Sequence, residues 1–398
     1  MAAAGAGNDT GGSLDGRRTL VLGLLTFALM LPVTLPVPVL RPLVLERYDL
    51  GVAEASLFMS VNMAGALIAA PLAGLIADRF GRRRLMATAA LVLDALCMAA
   101  LAFAPDYASA LGLRTLEGAA HIVALSMVLA LASDAAGAHR GKTMGVLGAG
   151  LTLGVAMGAT IGGSIGKKDP VATLECAAAI LFVAALMAWR ALPQDTPAVR
   201  RPGMREIAAV VAADRALVLP LVCAFVDRFT VGFFTTGFPF YLAGVHDVSR
   251  PVIGQLLGAF LFPFALLSWP CGRYAERHSP LLLVALGSAV YGLGAMTVGF
   301  LPPAWLWLLM PILGLGSAVM FVPNLLMTTQ AAPATGRSTA VAAFNAAGSL
   351  GFLLGPIVCG ATVDAFTDLR DGYAAAFVVA GIAELLCVAW LLSVARRR

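Results

Sequence analysis

Twelve apolar runs, each bounded by charged residues, proline or glycine, set the limits on what this chain can become. They fall at about 20–43, 54–76, 85–104, 107–133, 142–166, 170–192, 216–243, 251–272, 280–300, 304–330, 338–362 and 373–394. About 20 apolar residues in a helix cross the hydrocarbon layer of a bilayer, and a helix satisfies its own backbone where no water can. The spacing therefore predicts an all-α integral membrane protein with twelve transmembrane helices. Composition agrees, because 60% hydrophobic and 12% charged residues leave too little polar surface to cover a soluble globule.

The remaining charge is unevenly placed between the runs. If the N-terminal tail starts in the cytoplasm, the loops on that side and the two tails hold 19 of the 27 Lys and Arg. The opposite loops hold only Arg47, Lys167, Lys168, Arg250 and Arg370. Positive residues favour the cytoplasmic side, which predicts a multi-pass protein of the plasma (inner) membrane with both termini cytoplasmic. A net charge of +5 is small for 398 residues and gives no support to nucleic-acid binding. The six cysteines lie inside apolar runs without CxxC spacing, so they read as free core residues, with no metal site and no disulfide expected.

The longest hydrophilic connection is rich in Pro and Arg and divides six helices from six. It gives a cytoplasmic tail at 1–19, an N-terminal six-helix bundle at 20–192, a linker at 193–215, a C-terminal six-helix bundle at 216–394 and a basic tail at 395–398. Two patterns recur across this divide. Gly74, Ala77, Asp78 and Arg79 return as Gly272, Ala275, Glu276 and Arg277 after 198 residues, and Gly154, Gly158 and Gly163 return as Gly351, Gly355 and Gly360 after 197. The second set, with Pro356, predicts a sliding helix seam between the two halves, since GxxxG lets backbones approach closely.

The stretch from Gly74 to Met86 packs glycine, an acid and four arginines between two apolar runs. Its Gly74, Asp78, Arg79, Gly81, Arg82 and Arg83, lying between the second and third helices, resemble the signature loop of the major facilitator superfamily of transporters. Arg114, Glu117 and Gly118 in LGLRTLEGAA resemble the second motif of its drug/proton antiporter branch, and GVAMGATIGG resembles the third. Where that third motif carries Gly-Pro, this chain has Gly158 and Ala159, and Gly-Pro stands instead at Gly355 and Pro356. The first span keeps the branch's proline-rich character but has no acid at its core and carries Arg41 toward its outer end. The resemblance covers about residues 20–392 and implies two bundles that rock about a midplane substrate site.

Ionisable residues inside the spans are the candidate site, because a charge in hydrocarbon must pair or face water. Arg114, Glu117 and His121 share one face of the fourth helix, so Glu117 reads as a proton carrier, with Arg114 beside it and His121 as a relay. The bland alternative is that Arg114 and Glu117 neutralise each other around a structural histidine. Asp227 and Arg228 are adjacent in the seventh helix, diverge by about 100° and are each expected to find a partner on another helix. For Arg228 that partner is an acid such as Glu384, or an anionic substrate. The aromatic residues Phe225, Phe229, Phe233, Phe234, Phe238, Phe240 and Tyr241 read either as a wall for a lipophilic substrate or as packing. Arg41, Asn324 and Asn345 complete the candidate proton and substrate residues, whereas Asp94, Glu175 and Glu384, in helices peripheral in the family, read as structural.

Taken together these features predict a secondary active transporter, with a metabolite, sugar or organic-anion carrier and a non-transporting scaffold or sensor as rivals. The expected activity is export of a small amphipathic or lipophilic compound against protons by a monomer in the lipid bilayer, with no cofactor beyond the proton gradient. No HExxH or phosphate-binding loop points to an enzyme. In the signature loop, Asp78 and Arg79, with Gly74, Gly81, Arg82 and Arg83, read as a conformational latch closing on Asp134 at the end of the fourth helix. Asp78→Asn is expected to slow transport while leaving substrate binding intact; normal transport with lost binding, measured in proteoliposomes, contradicts the latch.

Overall fold

The structure is a computed structural model that describes residues 16–136, 140–193, 215–332 and 337–396. The side chains of Gly74, Asp78 and Arg79, and most of the linker expected at 193–215, lie outside the described residues. Twelve helices are long and apolar enough to span a bilayer. In chain order they are α1 (Gly16–Thr34), α2 (Val52–Phe80), α3 (Arg83–Ala102), α4 (Tyr107–Ala135), α5 (Arg140–Ile165), α6 (Ala172–Ala191) and α7 (Val218–Val245). They continue with α8 (Arg250–Ala275), α9 (Pro280–Thr297), α10 (Pro303–Ala331), α11 (Arg337–Asp364) and α12 (Leu369–Ala395). The outer surface is apolar, with Phe103, Leu266, Trp269 and Leu386 exposed, as suits a lipid environment.

Local chemistry sets the ends and interruptions. Pro32, Pro36, Pro38 and Pro42 remove backbone donors, so the first span leaves α-geometry at Thr34 and continues as a 3₁₀ turn at Val37–Val39 and a π turn at Arg41–Leu45. α4 starts where the Asp106 carboxylate accepts the Ser109 N–H at 2.8 Å. This contact, with the Ser109 hydroxyl, holds the Asp106 carboxyl below the usual aspartate range. Asp368 caps α12 in the same way. α7 is interrupted by a π turn at Phe233–Gly237, beside Pro356 and Cys359 of α11.

Glycine spacing decides which helices touch. A Cβ on Gly150, Gly154, Gly158 or Gly162 of α5 would lie within 2.6 Å of a backbone carbonyl of α1 or the turn after it. Thr26 and Thr34 hydroxyls donate across the same contact to the carbonyls of Leu147 and Val155. Gly154 and Gly158 therefore pack α5 against α1 inside one bundle and do not form the seam expected of them. Gly351 and Gly355 do the same for α11 against α7, at the carbonyls of Phe225 and Phe229, and Pro356 meets Gly232 of α7. Of the six repeated glycines, only Gly163 and Gly360 reach the other bundle, against Arg250 and against Val52, Ala53 and Ser56. The reason is rotation. Four residues return a helix to nearly the same face, whereas the step of five from Gly158 to Gly163, repeated from Gly355 to Gly360, turns it by about 140°.

The two bundles meet through α2 with α11 and α5 with α8. Every hydrogen bond between them among the described residues lies at the end remote from the termini. The Ala53 N–H donates to Asp364 Oδ2 at 2.9 Å, and Arg250 Nη1 donates to the Gly166 carbonyl at 2.8 Å. Gly254 and Gly258 of α8 lie against Ala159 and Thr160 on the same side. The molecule is thus sealed at that end.

Substituting these glycines separates their two uses. Gly158→Val overpacks the α1–α5 contact and is expected to cost about 1–3 kcal/mol, read as a lower Tm of the purified protein in detergent. Gly163→Val is expected to loosen the sealed end instead, read as labelling of a cysteine placed at Thr160. Equal labelling in Gly158→Val and Gly163→Val contradicts the division.

Candidate functional site

Among the described residues two clusters of charged side chains lie within the helices, one in each bundle. In the N-terminal bundle α2 and α4 come so close that a Cβ on Gly118 would meet the Asn62 carbonyl, and one on Gly65 the Thr115 carbonyl. That approach brings Asn62 Nδ2 to Glu117 Oε2, which also accepts from Arg114 Nη1 at 2.7 Å. Arg114 and Glu117 are each only 2% exposed. The guanidinium lies 5.2 Å from the centre of the Phe58 ring, a cation–π contact that helps hold it out of water.

One turn along α4, His121 Nδ1 lies 2.9 Å from Asp94 Oδ2 of α3. Candidate ligand atoms of Asp94, Glu117 and His121 all fall within 4.8 Å of one another. The sequence assigns Asp94 a structural place in a peripheral helix; the structure corrects this by joining it to the Arg114 and Glu117 cluster through His121. α3 packs along the length of α4, which adjacency in sequence does not reveal. One of these three candidate ligands, Glu117, already has a cation beside it in Arg114.

In the C-terminal bundle, Arg228 Nη1 reaches back to Asp227 Oδ2 at 3.2 Å. This corrects the expectation that each of these neighbours pairs on another helix. The arginine chain is long enough to offset the 100° between the two Cβ directions. Its guanidinium sits 4.3 Å from the ring centre of Phe321 on α10 and 5.6 Å from that of Phe352 on α11, beside Gly348. The Arg228 side chain is 23% exposed and that of Asp227 only 6%. Glu384 does not face Arg228; its Oε1 lies 3.0 Å from the Thr230 hydroxyl.

Other expected site residues lie elsewhere. Arg41 is at the sealed end, paired through Nε with Glu46 Oε1 at 2.9 Å and set against Gly244, because the π turn brings residue 46 over residue 41. Asn324 is buried and donates to the Pro220 carbonyl at 3.1 Å, tying α10 to α7, whereas Asn345 is exposed. Phe233, Phe234, Phe238, Phe240 and Tyr241 are buried in the bundle core, so the aromatic wall expected from them is packing. Phe225 and Phe229 are partly exposed and stacked, with centroids 5.9 Å apart. The rings at Arg228, Phe321 and Phe352, were missed because they come from other helices.

Of the expected latch, the structure describes one contact. Arg83, the first residue of α3, pairs with Asp134 in the last turn of α4 at 2.9 Å, with side-chain exposures of 3% and 22%. A carboxylate at a helix C-terminus opposes the helix dipole, so the arginine offsets an otherwise unfavourable charge. Gly81 enters the turn at φ +62°, a left-handed conformation that favours glycine. Arg82 is exposed. The sequence expects this loop to close on Asp134, and Arg83 is the loop residue that the described contact brings to it.

Comparison with known proteins adds the evolutionary setting. Residues 22–220 and 220–398 each match the model of the Major Facilitator Superfamily. The multi-drug resistance efflux pump PmrA of Streptococcus pneumoniae is 24% identical over 374 residues, covering 90% of both chains. A bacterial homologue of the human lysosomal transporter Spinster, solved inward-facing and unoccupied, superposes with a TM-score of 0.84 at 14% identity and 98% coverage of both chains. The nucleoside transporter NupG gives 0.76 at 13% identity, covering 95% of this chain and 98% of that one. The human organic anion transporter MFSD10 gives 0.68 at 19% identity, covering 95% and 100%.

The buried pair yields a direct stability test. Arg114→Met strands the Glu117 carboxylate and is expected to destabilise by about 3–5 kcal/mol, while Arg114→Met with Glu117→Met recovers most of the loss. Thermal unfolding of the purified protein reads both; a double variant as unstable as the single one contradicts a paired charge.

Proposed function

Because the chain belongs to the Major Facilitator Superfamily, a family of transporters, we propose that it is a secondary active transporter exporting a small amphipathic or lipophilic compound in exchange for protons. The observation that carries this reading is the charge count in the N-terminal cluster. One guanidinium faces two carboxylates, Glu117 and Asp94, with His121 between them. In hydrocarbon this group is neutral only when it holds one extra proton, on His121 or on a carboxylate. Such a cluster binds and releases a proton as its surroundings change, which is the requirement for coupling.

On the substrate side, the best placed surface is the cation and rings of Arg228, Phe321 and Phe352, with Asn345 exposed on the same helix as Phe352. The efflux activity in the name of the Streptococcus relative favours export. The positive bias of the terminal side makes the sealed end the external one, so the described conformation reads as inward-facing. The Arg83 and Asp134 contact then belongs to the cytoplasmic latch together with Gly74, Asp78 and Arg79.

A second reading is favoured by Arg228 itself. A partly exposed guanidinium flanked by two rings suits an aromatic or amphipathic anion, which makes an organic-anion carrier the specific rival. Proteoliposome flux separates the readings. With a panel of lipophilic cations and aromatic carboxylates, the exporter is expected to move substrate only against a pH gradient, with at least tenfold loss in Glu117→Gln. Gradient-independent flux of the carboxylates, lost in Arg228→Gln but retained in Glu117→Gln, supports the carrier.

A further inference from the structure

Glu384 is the one membrane-embedded acid of the C-terminal bundle that neither arginine pairing nor solvent explains. It is 1% exposed on α12. α9 approaches there through Gly292, whose Cβ would lie 2.9 Å from that of Glu384. From α9, Ser288 and Tyr291 face it; from α7, Asp227, Thr230 and Cys223; and on α12 itself, Cys387. Arg228 is the cation of this group, and its bond goes to Asp227. Two carboxylates thus share one guanidinium, and the nearer of them takes it.

The hydroxyl of Thr230 shows where the balance falls. Thr230 Oγ1 lies 2.9 Å from the Asp227 carbonyl and 3.0 Å from Glu384 Oε1. A hydroxyl has one proton to give and two lone pairs to accept with. If it donates to the carbonyl three residues back, the usual bond for a threonine within a helix, the second contact needs a proton from the carboxyl. A buried anionic Glu384 in the field of Asp227 would instead be compensated by hydroxyl protons alone, those of Thr230 and Ser288, while Arg228 is bonded to Asp227.

We infer that Glu384 is a proton-binding site of the C-terminal bundle, holding its proton toward Thr230 while Arg228 is paired with Asp227. No bond other than O–H is involved. When Arg228 turns from Asp227 toward an anion reaching its exposed face, Asp227 becomes the second unpaired acid and competes for that proton. The step moves a proton between two carboxyls of one cluster and needs no further reactant. It couples the ring-flanked cation to a buried acid that the sequence reads as structural.

The inference deepens the proton-coupled reading, and its test needs no substrate. Infrared spectra of the reconstituted full chain, recorded in water and in heavy water near neutral pH, report protonated carboxyls as a band separate from the amide absorption. Glu384→Gln is expected to remove one carboxyl's worth of that band, and Thr230→Val to shift it to higher frequency by removing its hydrogen-bond acceptor. A band unchanged in Glu384→Gln, or unmoved in Thr230→Val, overturns the assignment. If Glu384→Gln does not purify as a folded species, Glu384→Asp replaces it: a displaced band supports the site and an unmoved one overturns it. Flux assays then judge the transport reading separately, since a lost Glu384 assignment leaves gradient-dependent flux through Glu117 intact.

Discussion

Pairing of charge inside hydrocarbon is the constraint on which this structure depends. An isolated carboxylate or guanidinium there costs several kcal/mol, so each must find a partner, a proton or a route to water. The described helices use all three solutions. Arg114 and Glu117 pair with each other and with Asn62; Asp94 has His121; Arg228 has Asp227 and two rings, and keeps part of its surface exposed. The acids outnumber the arginines by one in each bundle's cluster. That excess supports the proposed proton binding at both clusters on physical grounds, independent of any family likeness.

Glycine makes these pairings possible. Asn62 reaches Glu117 because Gly65 and Gly118 let α2 and α4 touch backbone to backbone, and Glu384 sits against α9 because Gly292 leaves room. The same residue type divides rigid from movable contact. Runs at every fourth position weld α5 to α1 and α11 to α7, whereas single glycines offset by five, Gly163 and Gly360, meet the opposite bundle. A bundle built this way moves as a unit, and relative motion concentrates at the few places where the offset glycines and the Ala53 to Asp364 and Arg250 to Gly166 bonds join the halves.

The helices and their number were legible in the sequence because each span carries its own signal: length, apolarity and charged ends. The bundle partition was legible because the repeat preserves register. Which acids and bases meet was only partly legible. Arg114 and Glu117 share a helix face, so periodicity alone brings them together, but Asp94 meets His121 through helix packing that leaves no local mark. Asp227 and Arg228 were misjudged because Cβ directions say nothing about how far an arginine's chain can bend back. Of the two readings of the aromatic residues of α7, packing holds for most, and the rings that flank Arg228 belong to α10 and α11. Arg41 stands at the end of the first span where the sequence puts it, but its pairing with Glu46 was not legible, because the π turn that brings the two together leaves no mark in apolar periodicity.

The two clusters differ in a way that bears on how a transporter of this kind can work. The N-terminal one is the more closed, with Arg114 and Glu117 each 2% exposed and only the His121 side chain, at 13%, reaching the surface, so its proton count depends chiefly on how the helices pack. The C-terminal one is graded from the partly exposed Arg228 side chain to the buried Asp227 and Glu384, so a molecule arriving beside Phe321 can alter it without helix movement. A ligand can shift an equilibrium only by as much as it distinguishes the two states. In the proposed exchange of substrate for protons, the graded cluster would report substrate and the more closed one conformation, and such an exchange requires that the two be linked. The bundles are rigid within themselves, so that link runs through the sealed end and the α2–α11 and α5–α8 contacts, where a change in one half must be accommodated by the other.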